Sequence, residues 1–403
     1  MLPGVKIDFR NGALGSVVPS ADCVAGLIAT ATAISTTFVL GHTYILYKLD
    51  DLASLGVTAE NNACLYKAVQ QFYDEAGDGA ELWIMGAPNT AKPSDIVNKD
   101  NSTFAYAKNL IQVANGRIRF LGVAYQPASG YEPTITDGLD SDVWQAALKA
   151  QALAEWATQS LYAPLFAVLA GRGFSNDNIA DLKDLTTLNY NRVGIMIGDV
   201  ESDSEGAAIG LLLGKIAAGP VQRHIGRVKD GALKTLTAFV GDQDPSIANV
   251  ETIFNKGYIT FRTFTGKSGY FFTDDCLATA VDDDYRSIAR RRTIDKAYRI
   301  IYNTMLNNVN DEIPITDAGC LVPSMVKSWE SDIISDIVSQ MTAQGELGSD
   351  PNDENDMGVK VYINPNQTVV STSKIAVLAQ VKPYGYSKYI DVELGFVTVN
   401  SEG

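Results

Sequence analysis

The chain has 403 residues, more than one hydrophobic core usually organises, so two or three packed units are expected. With 46% apolar and 20% charged residues it is excluded from the disordered class. Its formal charge of -15 repels a phosphate backbone and argues against nucleic acid as the partner.

Residues 1–22 carry Pro3, Gly4, Gly12, Gly15 and Pro19 around one alternating stretch, Val5, Lys6, Ile7, Asp8 and Phe9. Such a lone strand must pair with a sheet of its own subunit or of a neighbour, so this segment reads as an N-terminal arm. It lacks the basic and apolar regions of a signal peptide. The charge-free run 23–41 is rich in Thr, Ala and Gly, which predicts strands and turns rather than stable membrane insertion. Folding in the cytoplasm follows.

From Thr58 onward, helical spacing alternates with short apolar runs: AELWIMGAP, RIRFLGVAY, PLFAVLAGRG and RVGIMIGDV. Continuous rather than alternating apolar strands predict an α/β layer with helices on both sheet faces, so residues 23–218 read as an α/β domain. Residues 219–384 read as an α+β domain. It holds a hairpin around Gly266 to Gly269, long helices over about 283–308 and 323–343, and an acidic loop. Residues 385–403 read as a terminal strand or arm.

Most candidate chemical sites fail on spacing. FTGKSG has Phe261 where a phosphate-binding loop needs Gly, and strands flank it, so a hairpin turn is the better reading. Gly206, Gly210 and Gly214 recur every four residues, which suits close helix packing and not dinucleotide binding. An EF-hand loop from Asp350 would place Asn355 where Gly is required. Cys23, Cys64, Cys276 and Cys320 form no CxxC and read as free thiols; His42 and His224 have no second ligand nearby, so neither a metal nor a cofactor is expected. The pair Asp274 and Asp275 reads as an ordinary surface pair.

The segment DDDYRSIARRRTIDKAYRIIYN stands out in an acidic chain. Arg286, Arg290, Arg291, Arg292, Lys296 and Arg299 gather on one helix, while Ile294, Tyr298, Ile301, Met305 and Val309 form an apolar stripe. Three consecutive arginines cannot all avoid packed structure. Their readings are pairing with carboxylates of the same subunit, pairing with those of a neighbour, or a solvated face.

This segment, together with TGKSGYFFTDDCLAT, LPGVKIDFRNG and GVTAENN, resembles contractile phage tail sheath proteins, in particular the sheath-like proteins of Bacteroidetes phages and prophages. The resemblance spans most of the chain. It implies a multi-domain fold with an α/β body, a C-terminal α+β domain and extended terminal arms. It implies no enzyme, no cofactor, and a homo-oligomer of six-subunit rings stacked helically around a tail tube, with baseplate and tail terminator proteins as further partners. Such a protein is assembled in the bacterial host cytoplasm and ends in the virion tail, and the stack contracts to drive the tube through an envelope. Carried onto this chain, Val5–Phe9 is one exchanged strand and Tyr389, Ile390, Asp391, Val392, Glu393 and Leu394 the other. The six basic residues form a charged helix facing the tube or a neighbour. The alternatives are an α/β enzyme acting on a nucleotide or sugar, or another tail or baseplate component.

Overall fold

The structure is a computed structural model that describes residues 21–202 and 204–396. The expected arm strand Val5–Phe9 lies outside the described residues.

The body is built on one six-stranded sheet. Its strands are β1 (Ala25–Thr30), β2 (Thr43–Leu46), β3 (Leu82–Ala87), β4 (Phe120–Ala124), β5 (Phe166–Ala170) and β6 (Val193–Met196), in the spatial order β2-β3-β1-β4-β5-β6. All neighbours are parallel except β2, which runs antiparallel to β3. The apolar runs end up inside because both sheet faces are covered; β3 is buried along its whole length.

Three helices make crossovers, α1 (Ala63–Ala76), α2 (Tyr106–Val113) and α3 (Ser141–Leu161), and α4 (Ile209–Ala217) follows the last strand of the sheet. The connection β1–α1–β3 steps one way along the sheet and β3–α2–β4 steps back across β1. Right-handed crossovers therefore put α1 and α2 on opposite faces. The order in which strands are added reverses between the parallel strands β1 and β4, leaving a crevice at their carboxyl ends. The glycine spacing has the expected use: a Cβ on Gly210 would collide with the Ala68 carbonyl of α1, and one on Gly214 would meet the Phe72 carbonyl oxygen at 2.5 Å.

The body's core does not stop at residue 218. Ile225, Leu233, Val240, Ile253, Tyr258, Ile259, Phe261, Phe272, Leu277 and Ile288 are buried in the same cluster as the sheet. Ile197 N–H donates to the Ile259 carbonyl, which carries the sheet edge beyond β6. The expected boundary at 218/219 is thus corrected: residues 219–288 belong with the body. The hairpin of β7 (Phe261–Phe264) and β8 (Lys267–Phe272) turns at Gly266, whose φ of 80° is the left-handed conformation that glycine accommodates.

Helix α5 (Ile288–Leu306) leaves the body and enters a second core. There Ala297 and Ile300 pack with Ile333 and Ile337 of α6 (Pro323–Ile337), and with Met341, Leu347 and Val359. Strands β9 (Val359–Ile363) and β10 (Val377–Val381) pair antiparallel, and neither has another strand neighbour among the described residues. Residues 389–394 form no strand in the single chain, and no sheet edge among the described residues pairs with them.

Candidate assembly site: the roots of the two arms

Helix α5 starts at Ile288, five residues later than its periodicity suggests, and its first turn is capped from a distance. The Asp275 carbonyl accepts the Ile288 N–H at 2.8 Å. Asp275 Oδ2 accepts from Ser287 Oγ at 2.8 Å and from Ala289 N–H at 3.0 Å. These bonds satisfy donors that a helix start leaves open. The aspartates of DDDY do not cap; Asp283 instead turns the chain by accepting from Tyr285 N–H at 2.7 Å.

The expected outward-facing basic surface is corrected for most of its residues. Arg291 and Arg292 are buried within the subunit. Arg291 donates to Asp295 at 2.7 Å, and Asp295 also receives Arg192 from the body at 3.1 Å. Arg292 donates to main-chain carbonyls, those of Gly219 at 3.0 Å, Pro220 at 3.2 Å and Asp22 at 3.3 Å. Lys296 bridges Asp22 and Glu346, both at 2.7 Å, and Arg299 reaches Asp22 at 2.9 Å. The reason is enclosure: α5 is packed by the body on one side and by the second core on another. For the same reason Ile288, Ala289, Ala297 and Ile300 are the deeply buried apolar residues, while Val309 of the expected stripe is exposed. Arg286 and Arg290 are only half-buried and make no salt bridge among the described residues.

Asp22 is the last residue of the segment expected to be an N-terminal arm, so the basic helix grips the point where that segment would begin. Burial would raise the Asp22 carboxyl, but Lys296 and Arg299 outweigh it and hold the group below its ordinary value.

The C-terminal root lies at the other end of the same assembly. Tyr386 Oη donates to the Gln222 carbonyl at 2.7 Å, and its ring centroid is 5.6 Å from that of His224. Lys388 Nζ touches both oxygens of Asp274, at 2.7 and 2.6 Å. Asp274 Oδ1 also lies 2.9 Å from His224 Nε2, and Cys276 Sγ donates to Oδ2 at 2.9 Å. His224 Nε2 is 3.2 Å from Asp275 Oδ1. Burial opposes charge on Asp274, yet His224 and Lys388 hold its carboxyl far below the ordinary range. Burial would lower His224, whereas Asp275 and Asp274 push it up. Beyond Lys388, Tyr389, Ile390, Val392, Leu394 and Phe396 are each at least 77% exposed.

His224, Asp274 and Asp275 present donor atoms within 4.8 Å of one another, the arrangement of a potential metal site. The set does not fit a divalent ion. Gly226 N–H donates to His224 Nδ1 at 3.0 Å, so Nε2 carries its hydrogen toward the carboxylates and offers no lone pair. The Lys388 ammonium already takes both Asp274 oxygens. Sequence reading missed this cluster by treating Asp274 and Asp275 as surface residues; the run YFF before them and CLA after them was the available signal of burial.

The crevice at the carboxyl ends of β1 and β4 tests the enzyme alternative. It encloses about 690 Å³ and is lined by Cys64, Lys67, Tyr125, Arg172, Asp199 and Glu205 among others. Its cations are engaged by the chain itself: Lys67 with Asp199 at 3.1 Å and Glu201 at 3.0 Å, and Arg172 with Glu205 at 2.5 Å. Burial pushes the Cys64 thiol up to about 11, the opposite of an activated nucleophile.

A family model described as DUF2586, N-terminal domain, matches residues 2–276, and one described as DUF2586, C-terminal domain, matches residues 284–401. The chain belongs to the DUF2586 family. The gap between the two matches falls just before α5, where the two cores separate. No curated protein matches the DUF2586 chain.

Solved structures resemble it along its whole length. A chain of the anti-feeding prophage baseplate, 6-fold symmetrised, is 15% identical with a TM-score of 0.64, covering 99% of each chain. A sheath complex of an extracellular contractile injection system in its contracted state is 14% identical with a TM-score of 0.60, covering 100% of this chain and 98% of that one. The sheath tail protein of Desulfitobacterium hafniense is 10% identical with a TM-score of 0.51, covering 93% and 99%. The DUF2586 chain therefore has the fold found in contractile sheath subunits.

Proposed function

We propose that the chain is a structural subunit of a contractile tail-like sheath, without enzymatic activity. It would polymerise as stacked six-subunit rings around a tail tube, with baseplate and tail terminator proteins at the ends. The observation that carries this reading is an end-to-end fold likeness to sheath chains, combined with an apolar C-terminal segment that the subunit itself leaves uncovered.

The receiving surface in this reading is the β9–β10 pair. A two-stranded sheet is incomplete by itself, and its open edges offer main-chain bonds to an arriving strand. Tyr362 and Leu378 stand exposed on its outer face. One edge is partly closed, since Ile363 N–H donates to Glu330 Oε1 at 2.8 Å, which limits how far an added strand can pair along β9. Arg286 and Arg290 are the remaining candidates for charged contacts with a neighbour or the tube. Assembly in a bacterial host cytoplasm and residence in a virion tail complete the proposal; no helix among the described residues is long and apolar enough to cross a membrane.

A second reading, a subunit positioned within a baseplate, is favoured by the likeness to a chain of the anti-feeding prophage baseplate. Negative-stain electron microscopy separates the two. The full chain is expected to form striated tubes or stacked rings, and variants lacking residues 1–15 or residues 389–403 are expected to lose them. Single closed rings from the full chain would favour the baseplate reading, and unchanged tubes from both truncations would remove strand exchange from the proposal.

A further inference from the structure

Residues 382–388 cross from one unit of the subunit to the other. Lys382 still belongs to the second unit: its N–H donates to the Gly358 carbonyl and its carbonyl accepts from Gly348 N–H, both at 2.8 Å. Tyr386 and Lys388 belong to the body, through Gln222, His224 and Asp274. Between these anchors sits Gly385, around which there is open space. After Lys388, no side chain among the described residues bonds to the body.

The site that receives Lys388 is built rather than accidental. Asp274 and Asp275 are 2% and 0% exposed, so two carboxylates are withdrawn from water side by side. Such a pair is costly unless positive charge and hydrogen bonds compensate it. One side of Asp274 is closed by the His224 and Cys276 donors. The remaining side faces the Lys388 ammonium, which both oxygens grip. Asp275 Oδ1 has no hydrogen-bond partner of standard geometry, and faces His224 Nε2. The groups facing His224 are thus Asp274, Asp275, the Tyr386 ring and, across Asp274, Lys388.

We propose that Asp274, backed by His224 and Asp275, is a socket for the side-chain cation at position 388 that latches the root of the C-terminal arm to the body. The latch fixes the arm's exit point, so the exchangeable length begins at Tyr389. It also ties the second unit to the body at a point far in sequence from α5. Its role in assembly rests on the sheath reading; its existence as a latch does not.

The test uses the full chain as dilute single subunits. Lys388→Met keeps the length of the side chain and removes its charge; Lys388→Arg keeps a charge that can grip the carboxylate. Two readouts are taken. The first is the rate of chymotryptic cleavage after Tyr386, resolved by mass spectrometry. The second is the titration of His224, one of only two histidines in the chain, followed by NMR. Lys388→Met is expected to raise the cleavage rate at least tenfold. It is also expected to shift the His224 midpoint upward, because a nearby positive charge has been removed. Lys388→Arg should restore both toward the parent. Unchanged cleavage together with an unchanged His224 titration in Lys388→Met would overturn the latch. Intact latch behaviour in a chain that forms no tubes or rings would instead count against the sheath reading alone.

Discussion

Asp22 and Asp274 carry the same physics at opposite ends of the chain. Each is an aspartate held below its ordinary value by cations on another segment: Lys296 and Arg299 for Asp22, and Lys388 together with the His224 hydrogen bond for Asp274. A carboxyl depressed on folding contributes stability that is complete above its ordinary value of 3.8 and is lost as the pH falls through the depressed one. Both arm roots should therefore hold at neutral pH and loosen below about pH 4. Glu346 runs the other way: burial pushes its carboxyl up, so it neutralises first and leaves Lys296 to Asp22 alone. Hydrogen-exchange protection factors around 21–23 and 386–388, each taken against the intrinsic rate at its own pH and compared at pH 5 and pH 3, check this. Lower protection at pH 3 is expected while the body's strands remain protected, and equal protection at both would refute the assignment. At this scale the sequence was least legible. Asp275 looked like half of a surface pair, yet it caps a helix that begins thirteen residues later. The cap is a tertiary contact, and no local pattern encodes it. Likewise nothing in RRR announces that Arg292 would turn inward to three carbonyls.

At the scale of elements, the order of strands and helices in the body was readable because both sheet faces are covered. Coverage makes each strand a continuous apolar run, and such runs survive in sequence without knowledge of the pairing. The small-residue helix is the sharpest instance. Gly210 and Gly214 predicted a close approach, and α4 does lie directly on the α1 backbone at Ala68 and Phe72. Gly210→Val should therefore destabilise severely, by about 3 kcal/mol or more, since overpacking here meets main chain that cannot turn aside. Chemical denaturation checks it, and a loss under 1 kcal/mol would mean that the helices part more easily than this contact implies. Helix α5 was harder. Its apolar stripe was sought on one face, but the helix touches two cores and buries charged residues between them. Residues 389–394 have the composition of a strand, but a strand also needs an edge, and no edge among the described residues pairs with them.

For the whole molecule, the change from body to second unit was placed too early. A loss of regular rhythm after residue 218 looked like a boundary, whereas it marks irregular chain that still fills the body's core through Ile288. The two units share α5, and both arm roots end on or beside it: Asp274 adjoins the residue that caps its start, and Asp22 is gripped by Lys296 and Arg299 farther along.

That arrangement defines a load path. In a stretched lattice, a pull on one arm would enter at Lys388, cross to Asp274 and Asp275, and pass along α5. From Ala289 to Lys296 it covers about 10 Å of helix before leaving through Asp22 to the other arm. Tension would then run through a short, stiff rod beside the six-stranded sheet rather than across its ladders. Single-molecule pulling from the two termini should yield the arm roots first and the sheet afterward; a sheet that opens first would show that the force takes another route. In such a lattice the subunit would act as a chain link, with strain carried along α5 between its two cores while the sheet is carried along undeformed.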